Sequence, residues 1–438
     1  MWLAFLDVGR QVKLTGSVTR LLKASLAALG LCALLAFLSP MAAHAQALHA
    51  RLLRSDPADG SVLATAPTRI NLWFSEPVQI AGQPIVVFAP SGKEVEQGAA
   101  QASGQEASVG VSAQEKGTYL VVWQVISLDT DAASGRLLFS VGRAGGQWTG
   151  ASVQVGSFTP GTLLAALARW LYFAGYALSF GALAFRWLII RPLALRDTEG
   201  IDRRLWRLVD WGMLALVSSA PLTLFAQLVS LQTGNLFNTA LIGAILASRS
   251  GWVLAQRLGG ALLLWVLLGA AKQGARPAVP LALALGVALA LVESEASHTI
   301  SSSNIVIGVI ATTLHVVAMG IWFGGLAALV SLWQEKALAP RRREVIARFG
   351  QIAVVSVIEL AGSGLLLAWL HLSQLSDLFT AAYGQVLLAK VLLLPVALLL
   401  ALLGRREGGS ERWWRREALA LAGILALAAL LVSLAPPR

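Results

Sequence analysis

The chain has 438 residues, 56% of them hydrophobic and only 13% charged, against about 25% charged in an ordinary soluble domain. Mean hydropathy is +0.69, yet the formal net charge is +11, from 34 Lys and Arg against 23 Asp and Glu. A soluble domain this apolar would precipitate, and a nucleic-acid binder would not dilute its basic residues in so much Leu and Ala. The pairing points instead to a multi-span membrane protein whose Lys and Arg gather in cytoplasmic loops.

Taken in order, the chain divides into three kinds of polypeptide. Residues 1–45 carry a net charge of +3 and read as a secretory signal. A basic stretch ends at Lys23, an apolar run covers 24–38, and Ala43-His44-Ala45 offers small residues for cleavage. The alternative is an uncleaved signal anchor, for which an apolar core of about 15 residues is short against the ~20 of a span. The one cysteine, Cys32, falls in this run. Its removal excludes disulfides, thiolate metal sites and cysteine nucleophiles from the mature protein.

Residues 46–158 carry a net charge of −2 and have β grammar. Turn-rich stretches such as Asp56-Pro57-Ala58-Asp59-Gly60 and Ala89-Pro90-Ser91-Gly92 separate short β-branched and aromatic runs at 69–75, 84–88, 118–126 and 136–141. In the first run Ile70, Leu72 and Phe74 alternate with other neighbours, as a half-buried strand requires. Several short strands in roughly 110 residues predict a small all-β sandwich.

Residues 159–438 carry a net charge of +10 and predict an all-α domain of eight transmembrane helices. The apolar segments lie near 162–190, 208–231, 253–271, 279–298, 305–332, 350–371, 385–404 and 417–435, with a short helix near 236–247. If the β domain is exported, loops at Arg191, Arg196, Arg203, Arg204 and Arg207, at Lys272 and Arg276, at Lys336, Arg341, Arg342, Arg343 and Arg348, and at Arg405, Arg406, Arg412, Arg415 and Arg416 are internal. The outer loops hold Arg249 and little else. That asymmetry orients the chain with both mature termini outside. Trp413-Trp414 reads as an interfacial anchor.

Polar residues inside spans are costly and are the first functional candidates. His315 sits about ten residues into the fifth span, roughly 15 Å deep at the helical rise, and Met319 follows on the same face. Glu359 lies about 18 Å deep in the sixth span by the same rise, and Lys390 is in the seventh. Imidazole with thioether favours copper, cuprous copper in particular, over hard cations. The alternative has His315 bonded to a neighbouring helix, Met319 filling core space and Glu359 paired with Lys390. His298 and His371 stand at the outer ends of the fourth and sixth spans. Histidines at membrane depth are also compatible with haem, provided they face one another on matched spans. Glu293 and Glu295 read either as acids that feed cations towards His298 or, more simply, as solvated acids at a helix end, and Arg169 and Arg257 as side chains reaching the interface. Gly320-Ile321-Trp322-Phe323-Gly324-Gly325 and Gly362-Ser363-Gly364 suit close helix packing. Neither has the strand and Lys-Ser/Thr ending of a phosphate loop. With no Ser-His-Asp or HExxH pattern, the sequence supports no enzyme.

The run His49-Ala50-Arg51-Leu52-Leu53-Arg54-Ser55-Asp56-Pro57-Ala58-Asp59-Gly60-Ser61 resembles the opening of the copper-resistance C (CopC) family. Pro67 through Phe74-Ser75-Glu76-Pro77-Val78, and Gly117-Thr118-Tyr119 through Ser134-Gly135, continue the match. The helical part resembles the copper-resistance D (CopD) family. Its markers are Ser297-His298-Thr299, Leu314-His315, Ile321-Trp322-Phe323-Gly324-Gly325-Leu326, Arg348-Phe349, Tyr383-Gly384, Leu387-Leu388-Ala389-Lys390, Glu417 and Pro436-Pro437. The resemblance implies a CopC–CopD fusion: an extracytoplasmic, immunoglobulin- or cupredoxin-like copper-handling sandwich on an eight-span protein implicated in copper uptake. The family's cupric site uses an N-terminal histidine with the Asp and His of a D-G-H-type turn. Here Asp129 matches, Asp131 stands at the His position, and cleavage after Ala45 leaves His49 fourth. His49, Asp129 and Asp131 then form either a weaker, oxygen-rich copper site or part of a docking module that has lost tight binding.

The expectation is a multi-pass protein of the cell inner membrane with its sandwich on the periplasmic side, serving copper homeostasis and resistance. Copper is captured outside and imported through metal positions at His298, His371, His315 and Met319, with Glu359 balancing charge. Its partners are the copper ion, the lipid bilayer and a periplasmic copper donor or acceptor, with no nucleic acid. The rivals are a haem-binding membrane redox protein and a non-transporting scaffold for copper-enzyme assembly.

Overall fold

Alternation along short strands builds the first domain. The computed structural model describes residues 50–80, 85–127, 132–142, 160–195, 197–230, 239–247, 249–295, 305–372, 376–380, 382–406 and 411–434. The expected signal segment falls outside them. The described strands are β1 (Leu52–Asp56), β2 (Ser61–Leu63), β3 (Arg69–Phe74), β4 (Val78–Gln79), β5 (Ile85–Phe88), β6 (Glu96–Ser103), β7 (Glu106–Val111), β8 (Gly117–Ser127) and β9 (Ala132–Val141).

One sheet has the order β1-β3-β7-β6, and the other β2-β9-β8-β4 with β5 also on β8. All pairings are antiparallel except β2 with β9. The period of two delivers Ile70, Leu72 and Phe74, then Tyr119, Val121, Trp123 and Val125, then Leu137, Phe139 and Val141, to one buried core between the sheets. Tyr119 stacks on Phe139 at 5.1 Å, and Phe74 meets Trp123 edge-on at 5.2 Å. The Tyr119 hydroxyl donates to the Glu115 carbonyl at 2.8 Å, and burial pushes its phenol above the usual tyrosine range. The 56–60 turn is tied to β9: Leu138 N–H donates to Asp59 at 2.8 Å and Gly60 N–H to the Leu138 carbonyl at 2.7 Å.

The helical domain follows. Its long elements are α1 (Pro160–Leu193), α2 (Glu199–Ser230), α3 (Arg249–Lys272), α4 (Ala278–Glu295), α5 (Ile305–Ser331), α6 (Arg342–His371), α7 (Ala382–Arg406) and α8 (Glu411–Ser433). Short helices Thr239–Ala247 and Asp377–Thr380 precede α3 and α7. Seven of the long helices are long and apolar enough to cross a membrane, while α4 contributes a shorter apolar stretch, Ala278–Ser294.

Two features decide how these helices pack. α1 contains π-helical turns at Ala177–Gly181 and Arg186–Ile190, and glycines let it press backbone to backbone against its neighbours. A Cβ at Gly181 would overlap the Gly320 carbonyl on α5, and one at Gly324 would overlap the Ala177 carbonyl. Gly175 and Gly212 make the equivalent contact between α1 and α2. Gly362 is different: a Cβ there meets nothing within 4 Å, so packing does not account for it.

Charged groups gather at one end, where the basic residues of the expected inner loops lie. Arg186 donates to Asp202 at 2.7 Å, Arg204 to Glu335 at 2.5 Å and Arg342 to the Trp333 carbonyl at 2.7 Å, while Lys272 pairs with Asp210. Here the expected Trp anchor is corrected. Trp414 is 2% exposed and packs on Trp333, because the helical period turns it inward while Trp413 lies under Arg416.

The reading of Arg257 and Glu293 is corrected as well. They form an ion pair at 2.6 Å with side chains only 10% and 5% exposed, and the guanidinium stacks over the Tyr172 ring at 4.9 Å. Tyr172 in turn donates to the Leu289 carbonyl at 3.4 Å. α1, α3 and α4 are thus joined through buried charge, since neither group reaches water and each must find its partner inside. Arg169 likewise donates to Val432 and to Ser433 on α8 rather than reaching outward.

Two outcomes follow from this packing. Gly324→Ala should force α1 and α5 apart and destabilise the detergent-solubilised protein by about 1–3 kcal/mol, the cost of overpacking. Arg257→Met should cost about 3–5 kcal/mol by leaving Glu293 buried and unpaired, and Arg257→Met/Glu293→Met should recover most of that loss. Thermal unfolding of the purified variants measures both.

Candidate metal-handling site

The α5 helix is apolar along nearly its whole length, and His315 interrupts it as its eleventh residue. The ring lies where α5, α6 and α7 converge. Its Nδ1 is 2.9 Å from Ser363 Oγ on α6, and its Nε2 is 3.5 Å from Lys390 Nζ on α7. The edge of the ring rests against Gly364, where a Cβ would lie 3.5 Å from His315 Cε1. That is ordinary van der Waals contact.

The tautomer follows from a hydroxyl with a single proton. Ser363 Oγ donates to the Glu359 carbonyl one turn back, at 2.5 Å, a bond that serine often makes inside a helix. Its proton is thereby used, so towards the imidazole Ser363 can only accept. His315 therefore carries its hydrogen on Nδ1 and turns the lone pair of Nε2 towards Lys390. The ring is thus oriented from behind, its N–H anchored through a hydroxyl to a backbone carbonyl as an outer-shell partner orients an imidazole, while its Nε2 faces the Lys390 amine.

Met319 stands one turn further along α5, half-buried beside the helical core. Glu359 does not join the group. Its side chain is exposed on α6 and makes no ion pair among the described residues, and Lys390 faces His315 instead of Glu359. The alternative Glu359–Lys390 pair is thereby corrected: it is not formed among the described residues. The helical period turns the Ser363 hydroxyl to α5 and leaves Glu359 on the flank of that face, so only the glutamate's carbonyl takes part.

The remaining expected positions are not brought to His315. His49, Asp129, Asp131 and His298 lie outside the described residues, and His371 is described only as the last residue of α6. Among the described residues no three His, Cys, Asp or Glu groups converge as a metal site. Both ring nitrogens of His315 have side-chain neighbours, Ser363 and Lys390, and a separate apolar cleft of the helical domain is lined by Phe185, Ile321, Gly325 and Phe349. Ser363 is the residue the sequence reading missed, although its place in Gly362-Ser363-Gly364, four residues after Glu359, was the available signal.

The architecture is that of a two-sheet β domain joined to a helical domain with several helices of membrane-crossing length, one of which carries a half-buried histidine held by Ser363. Residues 52–142 match the CopC domain family and residues 343–434 the Copper resistance protein D family. The chain thus carries a CopC domain and a CopD domain in one polypeptide. It is 26% identical over 417 residues to the copper transport protein CutJ of Bacillus subtilis (strain 168), an alignment covering 89% of this chain and 74% of that protein. Among solved structures it is similar to CopC from Methylosinus trichosporium OB3b, at 26% identity over 21% of this chain and 93% of that one, with a TM-score of 0.19. It is also similar to PcoC, a methionine-rich copper resistance protein from Escherichia coli, at 29% identity over 21% and 98% of the two chains, again with a TM-score of 0.19.

The hydroxyl relay has a direct spectroscopic consequence. In wild-type protein the nitrogen-15 signals of His315 should report a protonated Nδ1 and an unprotonated Nε2. Ser363→Ala removes the acceptor, worth about 1 kcal/mol, and should yield a mixture of tautomers. An unchanged ring signal in that variant would show that Ser363 does not set the tautomer.

Proposed function

We propose that this protein imports copper across the inner membrane, and that His315 is the station within the membrane through which the ion passes. The observation that carries this reading is the His315 ring itself. It lies within an apolar helix of membrane-crossing length, held on one side through Ser363, with its Nε2 facing the Lys390 amine at 3.5 Å. The CopC and CopD matches and the copper-transporting relative support copper as the cargo.

In this reading residues 1–45 are a signal peptide, 46–158 a cupredoxin-like sandwich on the periplasmic side, and 159–438 a domain of eight spans with α4 as the short one. The basic residues gathered at one end of the helices face the cytoplasm, in keeping with the positive-inside rule. His49, Asp129 and Asp131 form an oxygen-rich capture site on the sandwich, fed by a periplasmic donor. His298 and His371 form the entrance. His315, with Met319 one turn on, takes the ion; imidazole and thioether suit cuprous copper, which in this reading the donor delivers already reduced, so that no redox step falls to this chain. The chain acts as a carrier and not as an enzyme, and the gradient or the donor supplies the drive.

His315→Ala should lower cellular copper accumulation several-fold at equal expression. Equal accumulation by the variant and the wild type would remove the import role of that residue.

A further inference from the structure

An ion bound to His315 would have to stand on the Nε2 side of the ring, and that side is held by Lys390. Ser363 prevents the ring from turning its other nitrogen outward. No carboxylate offsets the ammonium, because the ion pairs formed among the described residues do not include Lys390. The long Nζ–Nε2 contact of 3.5 Å is a loose hold by a side chain with a flexible four-carbon stem. Such an amine can swing aside without unfolding a helix.

We propose that Lys390 is a tethered cation that guards the His315 nitrogen and decides which ions reach it. The inference rests on the reading of His315 as a station for copper. An arriving ion must first displace the ammonium and then sit close to it. Their repulsion scales with the charge of the ion and is poorly screened in apolar surroundings, so a divalent ion meets twice the opposition that a monovalent one does. The imidazole and the nearby thioether attract soft ions of either charge. Lys390 therefore supplies the charge discrimination: soft monovalent ions pass, and divalent ions are rejected although imidazole would bind them well.

The test uses the full chain in nanodiscs of zwitterionic lipid, equilibrated with silver(I), a soft monovalent probe, or with zinc(II), and bound metal is read by mass spectrometry. The wild type should take up silver and little zinc at this site. Lys390→Met should raise zinc affinity at least tenfold, Lys390→Arg should not, and the gain should vanish in Lys390→Met/His315→Ala. If Lys390→Met fails to fold, Lys390→Gln carries the same expectation. Unchanged zinc affinity in the neutral variants, or a gain that survives loss of His315, overturns the guard. If silver binding still depends on His315 in that case, the station itself stands. Silver binding indifferent to His315→Ala overturns the station and the guard together.

Discussion

A polar atom withdrawn from water must find its partner within the protein, and the helical domain is organised around that demand. Its consequences are most specific at His315. One hydroxyl proton, already given to the Glu359 carbonyl, leaves Ser363 able only to accept, and this settles which ring nitrogen keeps its lone pair. The same demand pairs Arg257 with Glu293 under Tyr172 and turns Arg169 to the end of α8. Residues that a sequence presents as isolated charges become the ties between helices.

These ties hold only because the backbones come close enough for short side chains to reach. The glycine contacts of α1 with α5 and α2 bring the carbonyls and Cα atoms of neighbouring helices together, and the π-helical turn at Ala177–Gly181 lies at that crossing. α5 carries His315 on one side while its Gly320 and Gly324 meet α1. The helix that carries the histidine is thus itself held close to α1 by glycine contacts on its other side.

Much of the fold could be read in advance. The strong strands β3, β5, β8 and β9 coincide with runs of β-branched and aromatic residues, and the long helices with the apolar segments. The weak strands were not legible. β6 is built from Glu96-Gln97-Gly98-Ala99-Ala100-Gln101-Ala102-Ser103, residues with poor strand propensity, and exists because β7 pairs with it at the edge of a sheet. Within the site, His315 and Lys390 stood out as polar residues in apolar helices, but their contact joins residues 75 apart and no local pattern encodes it. Glu359 stood out equally and proved to point elsewhere, because depth along a helix says nothing about which neighbour its face will meet.

Taken by itself, the sequence determined the order of a β domain and a helical one, the apolar cores of the long helices, and the end at which their basic residues would gather. These are properties of composition and period, which act locally along the chain. Only the tertiary structure decided which buried charges pair, that Trp414 turns inward, and that Ser363 orients His315 towards Lys390. Those outcomes depend on the rotation and approach of whole helices, and that geometry is set by the packing of many side chains at once.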